Sequence, residues 1–258
     1  MVLRLLIWLA LTPAALAAPG KLVPWDSPES MQRLATSDHA VDLPSLTNHF
    51  VPQVNRAFCG VASATIVLNS LLLGKKPDIP YDPTLVLPQD RKYLRPGTEI
   101  GFRRFTQDNV FRISPKKRAR VLGEPFRDPG TGKDKRDFGF QLRQLGDLFK
   151  AHGLRVSVHV VKSTGQKEQL RLMRENLRTK GNYLIINYTR KALGQKGGGH
   201  ISPVAAWHKA SDSFLVMDVN PNRAGWVWVP AARLMAAMAT FDTTENRGFL
   251  QISRGQGG

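Results

Sequence analysis

The chain has 258 residues, 42% of them hydrophobic and 22% charged, with 22 Gly, 17 Pro and a single Cys. Length and apolar content suit one large domain or two small ones and exclude a collagen-like, disordered or multi-pass membrane chain, and one cysteine excludes an intrachain disulfide framework. Lys and Arg number 37 against 20 acidic residues, a net charge of +17 that points to anionic partners or substrates, or to a basic solvated surface.

Residues 1–18 read as a secretory signal: Arg4, an apolar run over 5–11, and Ala15-Leu16-Ala17 as a small-x-small cleavage site. The run is too short for a bilayer, which takes about 20 residues. This predicts an exported chain, periplasmic or secreted, with no stable membrane anchor after cleavage and one mature domain over 19–258. In an oxidising compartment a lone thiol is either buried or in use, which draws attention to Cys59.

Residues 19–50 are irregular, with a short helix expected near 28–35. Residues 59–73 are apolar nearly all round and predict a buried helix of about four turns. Residues 74–136 are rich in Pro, Gly and charge, with 11 Lys/Arg against 4 Asp/Glu between 101 and 136. That stretch reads as an insertion, a lid or a solvated basic surface. Residues 137–152 form an amphipathic pattern with Phe138, Leu142, Leu145 and Phe149 on one stripe and Gly153 as its stop. Val156, Val158 and Val160 alternate as in a half-buried strand. Ser163 and Gln166 suggest a capping box for a helix carrying Leu170, Met173 and Leu177, ended by Gly181. Three β-rich runs follow, over 183–188, 200–207 and 214–219. Helices first and sheet later predict an α+β domain.

Cys59 falls where the buried helix begins, and a helix N-terminus favours the reactive thiolate. A nucleophilic cysteine needs a base, a group to orient that base, and donors for the oxyanion. Gln53, six residues upstream, offers an amide for the oxyanion beside the Cys59 backbone N–H. His200 opens a strand after Gly197-Gly198-Gly199, glycines that would let substrate backbone approach. A hairpin turn over 209–213 would bring Asp218 near His200, to orient the imidazole toward Cys59. Taken singly, Cys59 is ordinary packing, His200 a structural histidine, Asp218 a turn residue and Gln53 a surface amide; their joint presence carries the reading. His39, His49, His152, His159 and His208 have no comparable context, and no metal-ligand spacing is evident.

The segment Gln53-Val54-Asn55-Arg56-Ala57-Phe58-Cys59-Gly60-Val61-Ala62-Ser63 resembles the nucleophile segment of the phytochelatin synthase family. Gly197 to Pro203 resembles its histidine motif, and Met217-Asp218-Val219 its acid motif. The resemblance covers about residues 40–253. It implies a papain-like cysteine-peptidase fold, with Cys59, His200 and Asp218 as nucleophile, base and orienting acid, and Gln53 at the oxyanion. It further implies glutathione as donor and acceptor, with Asn187, Arg190, Gly199 and, more weakly, Arg247 against the γ-glutamyl end. A guanidinium suits that carboxylate because it can hold both oxygens. The chain looks like the short bacterial form, for which hydrolysis is expected to dominate over chain building and a homodimer is implied. No tightly bound cofactor is expected. A heavy-metal ion such as Cd or Zn would enter as a glutathione thiolate complex or activator.

Two other readings stay open. A processing peptidase would keep the fold and cut glycine-containing peptides. A non-enzymatic basic protein would bind an anionic polymer through residues 101–136, although no nucleic-acid motif is present and no nucleic-acid partner is expected.

Overall fold

The structure is a computed structural model and describes residues 20–255 except 76, 77, 83, 85, 99 and 224. The expected signal over 1–18 lies outside the described residues. β1 (Val23–Pro24) leads into α1 (Pro28–Ala35), where Ser27 caps the Ser30 N–H and Pro28 fits the first turn. α2 (Leu43–Asn48) and α3 (Cys59–Leu72) follow, and every α3 residue from Gly60 to Leu72 is buried, as its all-round apolar sequence requires. Truncating Ile66 or Leu68, both fully buried, would cost about 2–5 kcal/mol, because a packed core collapses only partly around a cavity.

The charged middle is irregular but structured. It contains β2 (Tyr81–Asp82), α4 (Pro88–Arg91), β3 (Phe102–Arg103), a 3₁₀ turn at Asn109–Arg112, α5 (Arg118–Val121), β4 (Phe126–Arg127) and β5 (Asp134–Lys135). β2–β3 and β4–β5 form two small ribbons. Of the 11 basic side chains over 101–136, seven (Arg103, Arg104, Lys116, Arg118, Arg120, Lys135 and Arg136) engage a local carbonyl, carboxylate or ring. Four of these, Arg104, Lys116, Arg118 and Lys135, are paired with a carboxylate.

The rest builds the sheet. α6 (Leu142–Ala151), β6 (Leu154–Val160), α7 (Gln166–Arg178), β7 (Asn182–Thr189), β8 (Gly199–His208), β9 (Ser213–Val216), β10 (Val227–Pro230), α8 (Ala231–Met238) and β11 (Gly248–Arg254) follow in order. Seven strands pair antiparallel in the order β1-β10-β9-β8-β7-β11-β6. Alternate β7 side chains serve two cores: Tyr183 and Ile185 meet α3 and α6 on one face, while Leu184, Ile186 and Tyr188 meet α7 and α8 on the other. The α+β expectation is met, with the helical half carrying Cys59 and the antiparallel half carrying His200. Among the described residues, no helix is long and apolar enough to cross a membrane.

Two local expectations are corrected. α6 starts at Leu142, not at 137, and Phe138 is 63% exposed. The Asp137 carboxylate is held by Lys116 and Gln144, and Gly139 takes a left-handed φ of 70°, so the chain turns before the helix begins. The helix then opens with Gln144 Oε1 accepting from the Gln141 N–H at 3.0 Å. The Ser163 capping box does not form either. Gly165, at φ 77°, precedes α7, and the Gln166 amide donates instead to the Lys162 carbonyl.

Candidate active site

Cys59 opens α3 with no side-chain cap beneath it, so the first N–H groups and the positive helix end are left to the thiol. β8 runs directly against this turn. Ser63 Oγ lies 2.8 Å from the Cys59 carbonyl and 3.2 Å from that of Ile201, tying helix to strand. Gly60 permits the approach, since a Cβ there would sit 3.2 Å from Phe140 and 3.4 Å from Ile201.

His200 pairs with Tyr188 across β7–β8, and the two rings meet edge-on at 5.8 Å. The β8–β9 hairpin turns back as the sequence suggested. Met217 N–H reaches the Pro203 carbonyl just beyond β9, which places Asp218 Oδ1 2.9 Å from His200 Nε2. That leaves Nδ1 of the imidazole for the Cys59 thiol, to which His200 is hydrogen-bonded.

The electrostatics follow from these contacts. For Cys59, burial is the largest influence and opposes the thiolate; the hydrogen bond and charge of His200, with the Ile201 and Gly60 N–H groups, outweigh it and lower the thiol pKa. For His200, burial opposes the imidazolium, but Asp218 and Cys59 raise its pKa above the ordinary value. Asp218 resists burial in the same way, through His200, Arg190 and the Asn220 N–H, and its pKa falls. The arrangement favours a thiolate–imidazolium pair with a carboxylate behind it that is ionised at neutral pH.

Gln53 lines the same cleft as Cys59 and His200. Its Nε2 donates to the Asn55 carbonyl at 2.7 Å, keeping a second N–H, while its Oε1 is buried with no partner. Its backbone N–H holds the Val219 carbonyl at 2.8 Å, joining the loop before the nucleophile to the segment that carries Asp218. Gln107, which sequence reasoning did not single out, braces this loop from the charged middle. Its amide donates to the Pro52 carbonyl at 2.7 Å and accepts from the Val54 N–H at 3.1 Å. Arg118 lies over the Phe58 ring beside it. No sequence signal marks Gln107; only the folded-back path of residues 101–111 does.

The four residues expected at the γ-glutamyl end divide. Arg190 lines the cleft but its Nη2 is engaged by Asp218, and its Nη1 is buried without a partner. Asn187 and Arg247 do not line the cleft. Both are held behind it by Asp242, at 2.9 Å each. Gly199, which does line the cleft, lies against Arg247, since a Cβ there would sit 3.0 Å from Arg247 Nη2. Gly197 is needed for a different reason than the sequence implied. Its φ is 120° and a Cβ would lie 3.0 Å from Arg190 Cδ, so it makes room for a side chain; only Gly198 faces open space.

The cleft measures about 440 Å³, inside the roughly 300–1,000 Å³ range of small-molecule sites. A larger apolar groove of about 1,030 Å³, bordered by Phe50, Val51 and Phe102, shares Val54 with it but contains neither Cys59 nor His200. Gln53, Cys59 and His200 all line the smaller one. Among the described residues, no three His, Cys, Asp or Glu side chains gather to hold a metal ion.

A family model described as phytochelatin synthase matches residues 14–249. A Lotus japonicus protein named glutathione gamma-glutamylcysteinyltransferase 3 is 27% identical over 215 residues, covering 81% of this chain and 37% of its own length. A Schizosaccharomyces pombe protein named glutathione gamma-glutamylcysteinyltransferase is 24% identical over 210 residues, covering 81% of this chain and 42% of its own. The chain thus spans less than half the length of these curated relatives. Among solved structures, xylellain, a cysteine protease from Xylella fastidiosa, aligns over 93% of this chain and 88% of its own at 11% identity, with a TM-score of 0.39.

Proposed function

The chain belongs to the phytochelatin synthase family, and on that premise we propose that it is a thiol acyltransferase and hydrolase acting on glutathione. One observation carries the reading: a single partly exposed thiol with a lowered pKa, aligned with His200 and Asp218 on the wall of a polar cleft. The Cys59 thiolate attacks the carbonyl of the Cys–Gly peptide bond. The oxyanion is met by the Cys59 N–H and the spare N–H of Gln53. The C–N bond then breaks, His200 gives its proton to the leaving glycine nitrogen, and a γ-glutamylcysteinyl thioester remains on Cys59. In the second half His200 takes a proton from the incoming nucleophile. Water yields γ-glutamylcysteine, and the α-amine of a second glutathione yields a short phytochelatin; either way the Cys59 thiolate is regenerated.

The γ-glutamyl end rests against Gly198, Gly199 and the unpartnered Nη1 of Arg190, with Asn187 and Arg247 behind them. A Cd or Zn ion enters as substrate, bound to glutathione sulfur, and the activity serves metal detoxification outside the cytoplasm. The apolar run over 5–11 supports export, periplasmic or secreted. A homodimer is part of the same proposal and is checked by light scattering.

The deciding experiment is mass spectrometry of the protein incubated with glutathione, with and without Cd²⁺, beside Cys59→Ala. The expected result is glycine release and a γ-glutamylcysteinyl adduct on Cys59, both absent from the variant. Full activity in Cys59→Ala, or no adduct from folded protein with a free thiol, would refute the reading.

A further inference from the structure

The cations of the Cys59 cleft are of two kinds. Arg190 is fixed by Asp218. Arg56 and Arg223 also line the cleft, both are exposed, and neither guanidinium meets a carboxylate, carbonyl or ring among the described residues. No Asp or Glu is among the lining residues, so two uncompensated positive charges face the same polar space as the nucleophile. Like charges held over one cleft repel each other and raise the local concentration of an anion.

We propose that Arg56 and Arg223 are the receptor for the carboxylate of the departing residue, the glycine released when the thioester forms. This rests on the glutathione reading and deepens it. Glutathione carries two carboxylates. The one on the γ-glutamyl end lies beyond the cysteine residue, on the acyl side of the scissile bond. The glycine carboxylate lies only one residue past that bond, at most about 3.6 Å of chain.

Its receptor must therefore sit close to Cys59, and Arg56 does so by construction. It stands three residues before the nucleophile in a tight turn, with the Phe58 N–H on the Asn55 carbonyl at 3.2 Å and the Ala57 N–H on Asn55 Oδ1 at 3.0 Å. Arg223 arrives on a loop folded onto the acid. Asn220 N–H bonds Asp218 Oδ1 at 2.8 Å, and Asn222 N–H bonds Asn220 Oδ1 at 3.0 Å. Two guanidinium groups can hold both oxygens of one carboxylate. The consequence is specificity for chain ends. A peptide continuing past the glycine would bring a neutral amide where the site supplies two positive charges.

The test measures kcat/KM for amine release by the full chain and by Arg56→Gln, Arg223→Gln and the double variant. Three substrates are compared: glutathione, its glycine amide, and 4-aminobutyryl-cysteinyl-glycine, which lacks the γ-glutamyl carboxylate. The unmodified protein should prefer glutathione to the amide by about 25-fold. Each single change should reduce that preference about 5-fold and the double change should abolish it, as expected for two exposed ion pairs. The ratio between glutathione and the aminobutyryl analogue should not move. An acid-over-amide preference that survives in the double variant, or a loss that tracks the γ-glutamyl carboxylate, would overturn the proposal while leaving the glutathione reading intact. Absence of glycine release and of a Cys59 adduct in the unmodified protein would end both together.

Discussion

One nitrogen, Arg190 Nη2, lies 2.7 Å from Asp218 Oδ1 and 2.5 Å from Oδ2, with both residues almost wholly buried. Only the contact to Oδ1 has hydrogen-bond geometry; the contact to Oδ2 is an ion pair. The same Oδ1 receives His200 Nε2 and the Asn220 N–H. Asp218 is thereby held in one orientation, with its charge compensated from behind the histidine.

Arg190→Gln should therefore act through Asp218. Burial is the largest influence on that carboxylate, and without the guanidinium it would raise the pKa from its present depressed position. The acid limb of the kcat/KM profile should move to higher pH, with kcat down about 10- to 100-fold, and Arg190→Lys should restore part of both. The stability cost has a sign as well. Asp218 is depressed below 3.8, so its contribution is present above that pH and lost as the pH falls through the folded pKa. Urea denaturation should give a gap of about 3–5 kcal/mol at pH 7 that narrows below about pH 4. An unchanged pH profile would remove the positioning role.

Cys59 should be alkylated by iodoacetamide at pH values well below the ordinary cysteine range, because its pKa lies under the usual 9.0. In His200→Ala the dominant opposing influence, burial, is left without its main counterweight. The alkylation midpoint should then move to higher pH. A midpoint that stays put would mean that the helix terminus alone sets the thiol.

Gln107→Ala should lower kcat about 10-fold or more with little change in KM. Both of its amide bonds hold the 52–54 loop, and a shift of about 1 Å at a positioning group can cost two orders of magnitude. Gln107→Glu keeps the acceptor for the Val54 N–H but loses the donor to Pro52, and should fall between. Equal losses in kcat and in melting temperature for both variants would indicate a purely structural role.

Gly248→Ala should fail to fold or lose several kcal/mol. A Cβ there would lie 1.9 Å from the His159 carbonyl on the paired strand, and backbone cannot yield that far without breaking the β6–β11 ladder. Gly198→Ala is the control, since nothing lies within 4 Å of its Cβ, and its melting temperature should match the unmodified chain.

The sequence made α3, the β8–β9 hairpin and the Cys59–His200–Asp218 set legible because each rests on a local signal. Those signals are an apolar run too long for a strand, a polar turn between β-rich runs, and motifs flanking each reactive side chain. The start of α6 was hidden because Phe138 fits the helical stripe by spacing while Asp137, two residues before Gly139, is claimed by Lys116 from 21 residues away. The Ser163 cap failed because a left-handed glycine at 165 competes for the same turn. The resemblance implies Arg190 at the γ-glutamyl end, while its pairing with Asp218, 28 residues on, leaves no local signal in the sequence. Asp242, which holds Asn187 and Arg247 away from the cleft, carried no motif at all.

The strand order has a consequence for folding. β11 is the last of the described strands in chain order yet lies between β6 and β7, bonded to both, and β7 in turn carries the register of β8 and His200. Until residues 248–254 dock, β7 has one open edge and β6 has no partner in the sheet. Late, long-range pairing of this kind is slow and leaves edges exposed. The gap between β6 and β7 thus closes only when β11 docks, and a chaperone that shields it would act before that pairing.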